Sequence, residues 1–380
     1  MPTGIDRAER AYLDHFISDD VPVFGLMRTA FGYVLLDRGG MIAFNDRLVG
    51  TAEWGHAGIL SRFSRSRNQS LMQALSDVRR HARARCLPMR LTQTLRKHLP
   101  TGFEYFNTGH SNLTERVLQS VKSASGSVDV LIHDVIPLEY PEYQRPDTIR
   151  PFRDKVERVH RLADRVIYNS RDTRQRTEAV MQNWGRPPVG IVSHLGTVRP
   201  TCDPSELPDG LPPAQPYFVI TGTIEPRKNH AFLLDLWDQM GSEAPMLLIC
   251  GTRGWNNKAV FGRLDQLTPE SPIRELPNLD DCTVSALVAQ SAGLLFPSHA
   301  EGFGLPPVEA LQLGTRVLCN ELAVLREVIG DHATFASVFD QELWLKTIQS
   351  WKKTPPTADK APVFVGPNWA DHFKTVLRLR

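Results

Sequence analysis

Two glutamates stand eight residues apart in the second half of the chain, with two glycines between them: Glu301, Gly302, Gly304 and Glu309. Carboxylates accept hydrogen bonds from vicinal hydroxyl groups, and glycines leave the backbone bare enough for a ligand to approach closely. This combination suits a sugar nucleotide, because the free N–H groups at a helix start favour phosphate. By spacing alone, an ordinary strand-loop-helix corner with a solvated acid would look the same.

A strand and a helix must position the two glutamates. The apolar run 293–296 predicts a buried strand that leads into the loop of Glu301. Prolines at the start and a glycine just beyond the end bound a predicted helix over 306–313, which carries Glu309.

A second glycine turn carries a basic pair. The predicted strand 217–220 is followed by Gly222 and Thr223, and then by Arg227 and Lys228 just before a predicted helix. Such a turn can bind an anion, since two cations at a helix start neutralise a diphosphate. Basic residues that follow a strand are also commonly no more than solvated surface residues.

A histidine lies where open α/β sheets bind ligands. The predicted strand 128–132 delivers His133 to its C-terminal end. A capping or core histidine is the alternative interpretation. Near the N-terminus, Gly4 precedes a predicted helix and either lines a phosphate or merely caps that helix.

Three strings carry a resemblance to a known family. FPSHAEGFGLPPVEALQLG at 296–314 resembles the glutamate-x7-glutamate motif of retaining GT-B glycosyltransferases, specifically glycosyltransferase family four. HDVIPLEYPEY at 133–143 resembles a loop of its mannosyl- and rhamnosyltransferase-like members, and the turn with the basic pair resembles the family's diphosphate loop. The resemblance is strongest over 220–330.

The resemblance implies roles for individual residues. Glu301 and His133 contact the transferred sugar, while Glu309 holds the ribose hydroxyls. Lys228 and Arg227 stabilise the departing diphosphate. The further donor-binding residues that it implies are Gly4, Thr223, Gly302, Phe303, Gly304 and Leu305.

Two departures from the family pattern stand out. Many members carry arginine where this chain has Thr223, so the contact of Arg227 is less secure than that of Lys228. Gly4 resembles a glycine loop that follows the first strand of the sheet, yet no room for this strand precedes it. Either the sheet lacks its first strand or the start lies further upstream, and we favour the upstream start.

The expected architecture is α/β, with two Rossmann-like, doubly wound domains facing each other across a cleft, the GT-B arrangement. A proline-rich span lacks any apolar period and reads as a linker. The predicted boundaries are an acceptor domain at 1–195, a linker at 196–216, a donor domain at 217–365 and a C-terminal crossing helix at 366–380.

Composition excludes several classes. A net charge of +2 implies no nucleic-acid partner, and the five widely spaced cysteines, without a CxxC pair, fit a reducing cytosol. Between 61 and 98, however, ten basic residues face one acid. A helix there either lies on an anionic membrane surface or packs its apolar stripe on the domain. We expect a cytoplasmic protein, with peripheral association at the inner membrane face as an option.

The expected reaction moves a hexosyl group, with retention, from a nucleoside diphosphate sugar to a glycan or polyprenyl-linked acceptor in surface polysaccharide synthesis. GDP-mannose is the first donor candidate, followed by dTDP-rhamnose or a UDP-hexose. The chain contains no Asp-x-Asp, which predicts a site without metal or other cofactor. The alternatives are a sugar-nucleotide epimerase and a non-catalytic binding subunit. A nicotinamide dehydrogenase is unsupported, since no strand is followed by GxGxxG.

Overall fold

The structure is a computed structural model that describes residues 3–58, 68–198, 207–208, 210–354 and 364–378. Parts of two predicted features lie outside these ranges. They are Arg62, Arg65 and Arg67 of the basic stretch, and Pro200 and Pro204 of the predicted linker.

The first half begins with a helix and a small antiparallel sheet, followed by alternating strands and helices. In order, its elements are α1 (Gly4–Ser18), β1 (Gly25–Thr29), β2 (Gly32–Leu36), α2 (Arg38–Leu48), α3 (Gln69–Arg80), β3 (Ala84–Cys86), α4 (Leu91–His98), β4 (Glu104–Asn107), α5 (Glu115–Ser123), β5 (Ser127–Ile132), α6 (Ile136–Glu139), α7 (Pro146–Leu162), β6 (Arg165–Tyr168), α8 (Arg171–Gln182) and β7 (Val189–Val192).

The second half alternates strands and helices throughout. Its elements are β8 (Tyr217–Thr221), α9 (His230–Met240), β9 (Met246–Cys250), α10 (Lys258–Leu264), β10 (Ile273–Leu276), α11 (Asp281–Gln290), β11 (Gly293–Phe296), α12 (Leu305–Gln312), β12 (Val317–Cys319), α13 (Ala323–Ile329), β13 (Thr334–Phe335), α14 (Gln341–Lys353) and α15 (Trp369–Arg378).

The sheet of the second half is doubly wound, as predicted. Its six parallel strands have the order β10-β9-β8-β11-β12-β13, so the winding direction reverses between β8 and β11. Loops that follow two such neighbouring strands diverge to opposite faces and leave a crevice at their carboxyl ends. The basic pair follows β8 and Glu301 follows β11, which explains why residues 73 positions apart meet.

The first half is built differently in detail. Its four parallel strands follow the chain order β4-β5-β6-β7, so the described strands of this sheet wind in one direction only. A separate antiparallel sheet, β1-β2-β3, accompanies it. A doubly wound first half is therefore not seen among the described residues.

The C-terminal helix crosses back to the first half, as predicted. The Tyr12 hydroxyl of α1 and His372 Nε2 of α15 lie 2.7 Å apart, and Phe373 stacks on His15 with ring centroids 3.8 Å apart. Arg165 of β6 donates to the Val376 carbonyl at 3.0 Å. These contacts fix both chain ends to the same core.

The described part of the basic stretch, from residue 68 onwards, contains two helices, α3 and α4. Within α3, Val78 is buried and the nearly buried Asp77 pairs with Arg47 at 2.9 Å and with Arg80. The C-terminal part of the apolar stripe thus packs on the domain, while Leu71 at the start of the helix is 45% exposed. No helix within the described ranges is long and apolar enough to cross a membrane.

The cysteines differ in state. Cys86, Cys250 and Cys319 are free, whereas Cys282 is disulfide-bonded. This disulfide bond differs from the reducing environment expected from the cysteine spacing.

Candidate active site

A buried ion-pair cluster forms where the loops after β8 and β11 meet. Lys228 Nζ lies 2.7 Å from Glu301 Oε1, and the Arg227 guanidinium lies 2.8 Å from Glu301 Oε2. Arg227 also pairs with Glu225 at 2.6 Å. A backbone hydrogen bond of 2.8 Å from His299 N–H to the Arg227 carbonyl ties the two loops together. The structure therefore brings three predicted site residues into direct contact.

Burial sets the electrostatics of this cluster. Lys228 and Glu301 are 8% and 6% exposed, so their charges have little water to stabilise them. Burial alone would raise the pKa of Glu301, but the charges of Arg227 and Lys228 outweigh it and lower that pKa to about 2. Glu301 is therefore a firmly ionised carboxylate with both oxygens occupied by cations.

Two glycines of the Glu301 loop are required by sterics. Gly304 has φ +86°, and a Cβ placed there would lie 2.4 Å from Leu325 Cδ2. A Cβ on Gly302 would lie 2.5 Å from the His133 carbonyl oxygen. The first glycine permits the turn into α12, and the second permits close approach of the two halves.

Residues of the first half hold the Glu301 loop from the other side. Thr173 Oγ1 donates to the Gly302 carbonyl at 2.9 Å, and Arg176 donates to the Glu301 carbonyl at 3.2 Å. Arg176 is itself fixed by a bidentate pair with Glu139. The predicted sugar-binding loop is thus part of the contact between the halves.

His133 reaches the site with its backbone, while its side chain points to the first half. The ring Nε2 donates to the Thr108 carbonyl at 2.6 Å, and burial lowers the pKa of the ring. The imidazole is therefore neutral, which leaves Nδ1 as an acceptor for a hydroxyl. Its neighbour Asp134 also lines the contact, with Oδ2 at 3.3 Å from a Cβ placed on Gly302. Sequence reasoning did not single out Asp134.

The second predicted glutamate lies in a different cluster. Glu309 Oε1 lies 2.5 Å from an Arg7 guanidinium nitrogen, and a second nitrogen of Arg7 lies 3.9 Å from Asp281. Burial raises the pKa of Glu309, and Arg7 opposes this effect. Asp280 caps α11, whereas Asp281 faces Arg7.

A cavity of about 1910 Å³ opens beside this second cluster. It is lined by Gly4, Arg7, Thr108, Leu305 and Glu309, among others. A Cβ on Gly4 would lie 3.2 Å from Leu305 Cδ1, so the first turns of α1 and α12 meet there. The cavity thus brings three of the predicted donor-binding residues together.

The remaining predicted residues are placed as follows. Phe303 is 4% exposed and packs in the core, so only its backbone is available to a ligand. The Thr223 methyl group packs against Gly254 in the loop after β9. A Cβ placed on Gly254 would lie 2.7 Å from this methyl group. Trp255 Nε1 donates to the Tyr143 carbonyl at 2.9 Å and thereby joins the two halves.

Arg7 and Arg176 were missed as site residues. Arg7 belongs to the Gly-Ile-x-Arg string near the N-terminus, which could have indicated it. In the sequence, Arg176 looks like an ordinary surface residue of α8. Its contact with Glu301 arises only from the packing of the two halves.

Residues 208–361 match the family described as Glycosyl transferases group 1. Serotype-specific mannosyltransferase WbdA of Escherichia coli is 30% identical over 252 residues, which cover 62% of this chain and 31% of the relative. O-antigen chain mannosyltransferase B of Escherichia coli is 29% identical over 222 residues, covering 55% of this chain and 56% of the relative. The chain thus spans about a third of WbdA and about half of the second relative.

Solved structures share the fold. Anabaena Alr3699/HepE in complex with UDP and glucose has a TM-score of 0.53 at 18% identity, over 69% of this chain and 70% of that one. The OtsA apo structure has a TM-score of 0.52 at 11% identity, over 88% and 82%. The fold and these matches confirm the predicted resemblance. The chain therefore has the GT-B fold, its residues 208–361 match the family Glycosyl transferases group 1, and its sequence is similar to bacterial mannosyltransferases.

Proposed function

We propose that this protein is a retaining hexosyltransferase. It moves a hexosyl group, with GDP-mannose as the first candidate donor, to a hydroxyl of a glycan or polyprenyl-linked glycan in surface polysaccharide synthesis. The observation that carries the proposal is the buried cluster of Arg227, Lys228 and Glu301 at the contact between the halves. The mannosyltransferases among its relatives support the choice of sugar.

The difficult step is charge separation at the anomeric carbon, since the diphosphate leaves as the carbon becomes oxocarbenium-like. Lys228 and Arg227 lie beside Glu301 and can stabilise the leaving group when hydroxyls of the transferred sugar replace them on that carboxylate. Glu301 and the backbone at 302–304 hold the sugar, and Glu309 holds the ribose. His133 Nδ1 accepts a hydrogen bond from a hydroxyl of the sugar.

The state of Glu301 bears on how configuration is retained. A covalent route would need a carboxylate nucleophile, but both oxygens of Glu301 are paired with cations and its pKa is depressed to about 2. Such a carboxylate is a weak nucleophile. We therefore favour a front-face route in which the departing phosphate helps to deprotonate the acceptor. Cationic side chains then take the place that a divalent ion would have.

The test is transfer by the purified chain from a panel of nucleotide sugars, in EDTA, with anomeric configuration read by NMR. We expect transfer with retention and no loss of rate in EDTA. Inversion, or strict dependence on a divalent ion, would contradict the mechanism. Tight nucleotide binding without turnover would favour the non-catalytic subunit, and isomerised free donor would favour the epimerase.

We also place this enzyme at the cytoplasmic membrane face, through the surface formed by residues 79–90. This segment contains five arginines and no acid, and Leu87 and Met89 are 56% and 83% exposed. The combination of exposed apolar tips and cations fits anionic lipid, to which each cation contributes about 1 kcal/mol.

Flotation with anionic vesicles tests the membrane surface. A variant with Arg83, Arg85 and Met89 changed to serine should lose binding, whereas a control with Arg150 and Arg153 changed to serine should keep it. If wild type ignores vesicles containing phosphatidylglycerol, or the two variants behave alike, the membrane proposal is wrong.

A further inference from the structure

Arg7 links the first helix to the far half of the molecule. Its guanidinium lies 2.5 Å from Glu309 Oε1 and 3.9 Å from Asp281 Oδ2, both in the second half. The Arg7 and Glu309 side chains are 31% and 20% exposed. This pair is therefore accessible from the cavity that Gly4 and Leu305 also line.

The cluster around Lys228 has no spare positive charge. Arg227 and Lys228 face the carboxylates of Glu225 and Glu301, and both glutamates are nearly buried. Two cations and two anions sum to zero, so an arriving diphosphate dianion finds no uncompensated cation there.

We propose that Arg7 is a donor-binding residue. In the free protein Arg7 pairs with Glu309. When the donor binds, its ribose hydroxyls replace Arg7 on Glu309, and Arg7 binds the donor's diphosphate. This inference rests on the proposed function, because it assumes a nucleoside diphosphate donor in the cavity.

The exchange is favourable at each partner. A ribose diol donates two hydrogen bonds to a carboxylate, so Glu309 keeps its acceptors satisfied when Arg7 leaves. Arg7 then forms a bidentate pair with phosphate, the anion geometry that guanidinium matches best. Its path is short, since Gly4, one turn before Arg7, lies against Leu305 at the start of α12. An equivalent exchange takes place at Glu301, where hydroxyls of the transferred sugar replace Lys228.

The test compares ligands with and without phosphate. The quantity measured is the ratio of the dissociation constants of guanosine and GDP, with uridine and UDP in parallel, by calorimetry for the diphosphates and NMR titration for the nucleosides. In Arg7→Ala and Arg7→Gln we expect this ratio to fall about 10- to 100-fold, as for loss of a charge-assisted hydrogen bond. Nucleoside affinity stays equal or improves, because Glu309 is freed for the ribose.

A control and a converse variant sharpen the result. Arg10 lies on the same helix as Arg7, and its ion pair with Asp14 is exposed. Arg10→Ala should therefore keep the wild-type ratio of nucleoside to nucleoside diphosphate dissociation constants. Glu309→Gln should bind inorganic pyrophosphate more tightly than wild type, because Arg7 is released.

Two failures are distinguishable. If wild type binds neither GDP nor UDP, the proposed function falls and this inference with it. If wild type binds a diphosphate but the Arg7 variants keep the wild-type ratio, or Glu309→Gln gains no pyrophosphate affinity, Arg7 only supports the ribose site and the inference is overturned.

Discussion

Glu301→Gln isolates the charge of the central carboxylate at nearly constant shape. Lys228 would lose its paired carboxylate, whereas Arg227 would keep its pair with Glu225. The pKa of Glu301 falls from 4.5 to about 2 on folding, and at about 1.4 kcal/mol per unit this corresponds to about 3 kcal/mol of stability. Removing one partner of a buried ion pair costs about 3–5 kcal/mol in other proteins, which agrees.

The pH dependence of this loss has a definite sign. Because the folded pKa is depressed, the stabilisation is complete above the unfolded value of 4.5 and is lost as pH falls towards 2. The assay is urea denaturation of wild type and variant at pH 7 and pH 3. We expect a difference in unfolding free energy of about 3 kcal/mol at pH 7 and less than half of that at pH 3.

The exposed pair of Glu321 and Arg326 provides the control. Their side chains are 52% and 43% exposed, so Glu321→Gln should change the unfolding free energy by about 1 kcal/mol or less. A difference for Glu301→Gln as small as this control at pH 7, or one that grows on acidification, would refute the reasoning.

Other changes probe the site more directly. Lys228→Ala should lower turnover by about 10²-fold, as for one lost stabiliser of developing charge, while the exposed-surface variant Lys346→Ala retains wild-type rate; near-normal turnover would exclude Lys228 from the diphosphate site. Gly304→Ala should destabilise the protein by about 1–3 kcal/mol, since the φ of +86° and the contact with Leu325 both oppose a Cβ; an unchanged melting temperature would contradict this. Burial lowers the pKa of His133, so the loss of turnover caused by protonation of this ring should occur below pH 6.5. A loss of turnover above pH 6.5 that His133→Gln removes would contradict the neutral state of the ring.

Local patterns in the sequence accounted for much of the second half. The strand predicted at 293–296 is found with those bounds, and the helix predicted at 306–313 is displaced by one residue. Buried parallel strands are continuous apolar runs, and proline and glycine mark helix ends by covalent geometry alone. The domain boundaries and the membrane surface remain predictions.

The first half was harder to predict for a physical reason. Short strands of a small antiparallel sheet depend on cross-strand partners rather than on a period of their own, so the sheet of β1, β2 and β3 was not predicted. The basic stretch showed an apolar stripe, but a stripe alone does not say whether it faces lipid or core. The burial of Val78 and of Asp77, which pairs with Arg47 and Arg80, shows that the C-terminal part of this face is internal.

For the site, the sequence by itself determined which residues are chemically capable: Glu301, Glu309, Lys228 and His133, each at the end of a predicted strand or at a helix start. Tertiary structure alone decided their partners. Arg7 meets Glu309 across 302 positions, and Arg176 meets the Glu301 loop across 125. Such pairs leave no local signal, because charge complementarity between distant segments depends on how two halves pack and not on the spacing of residues along the chain.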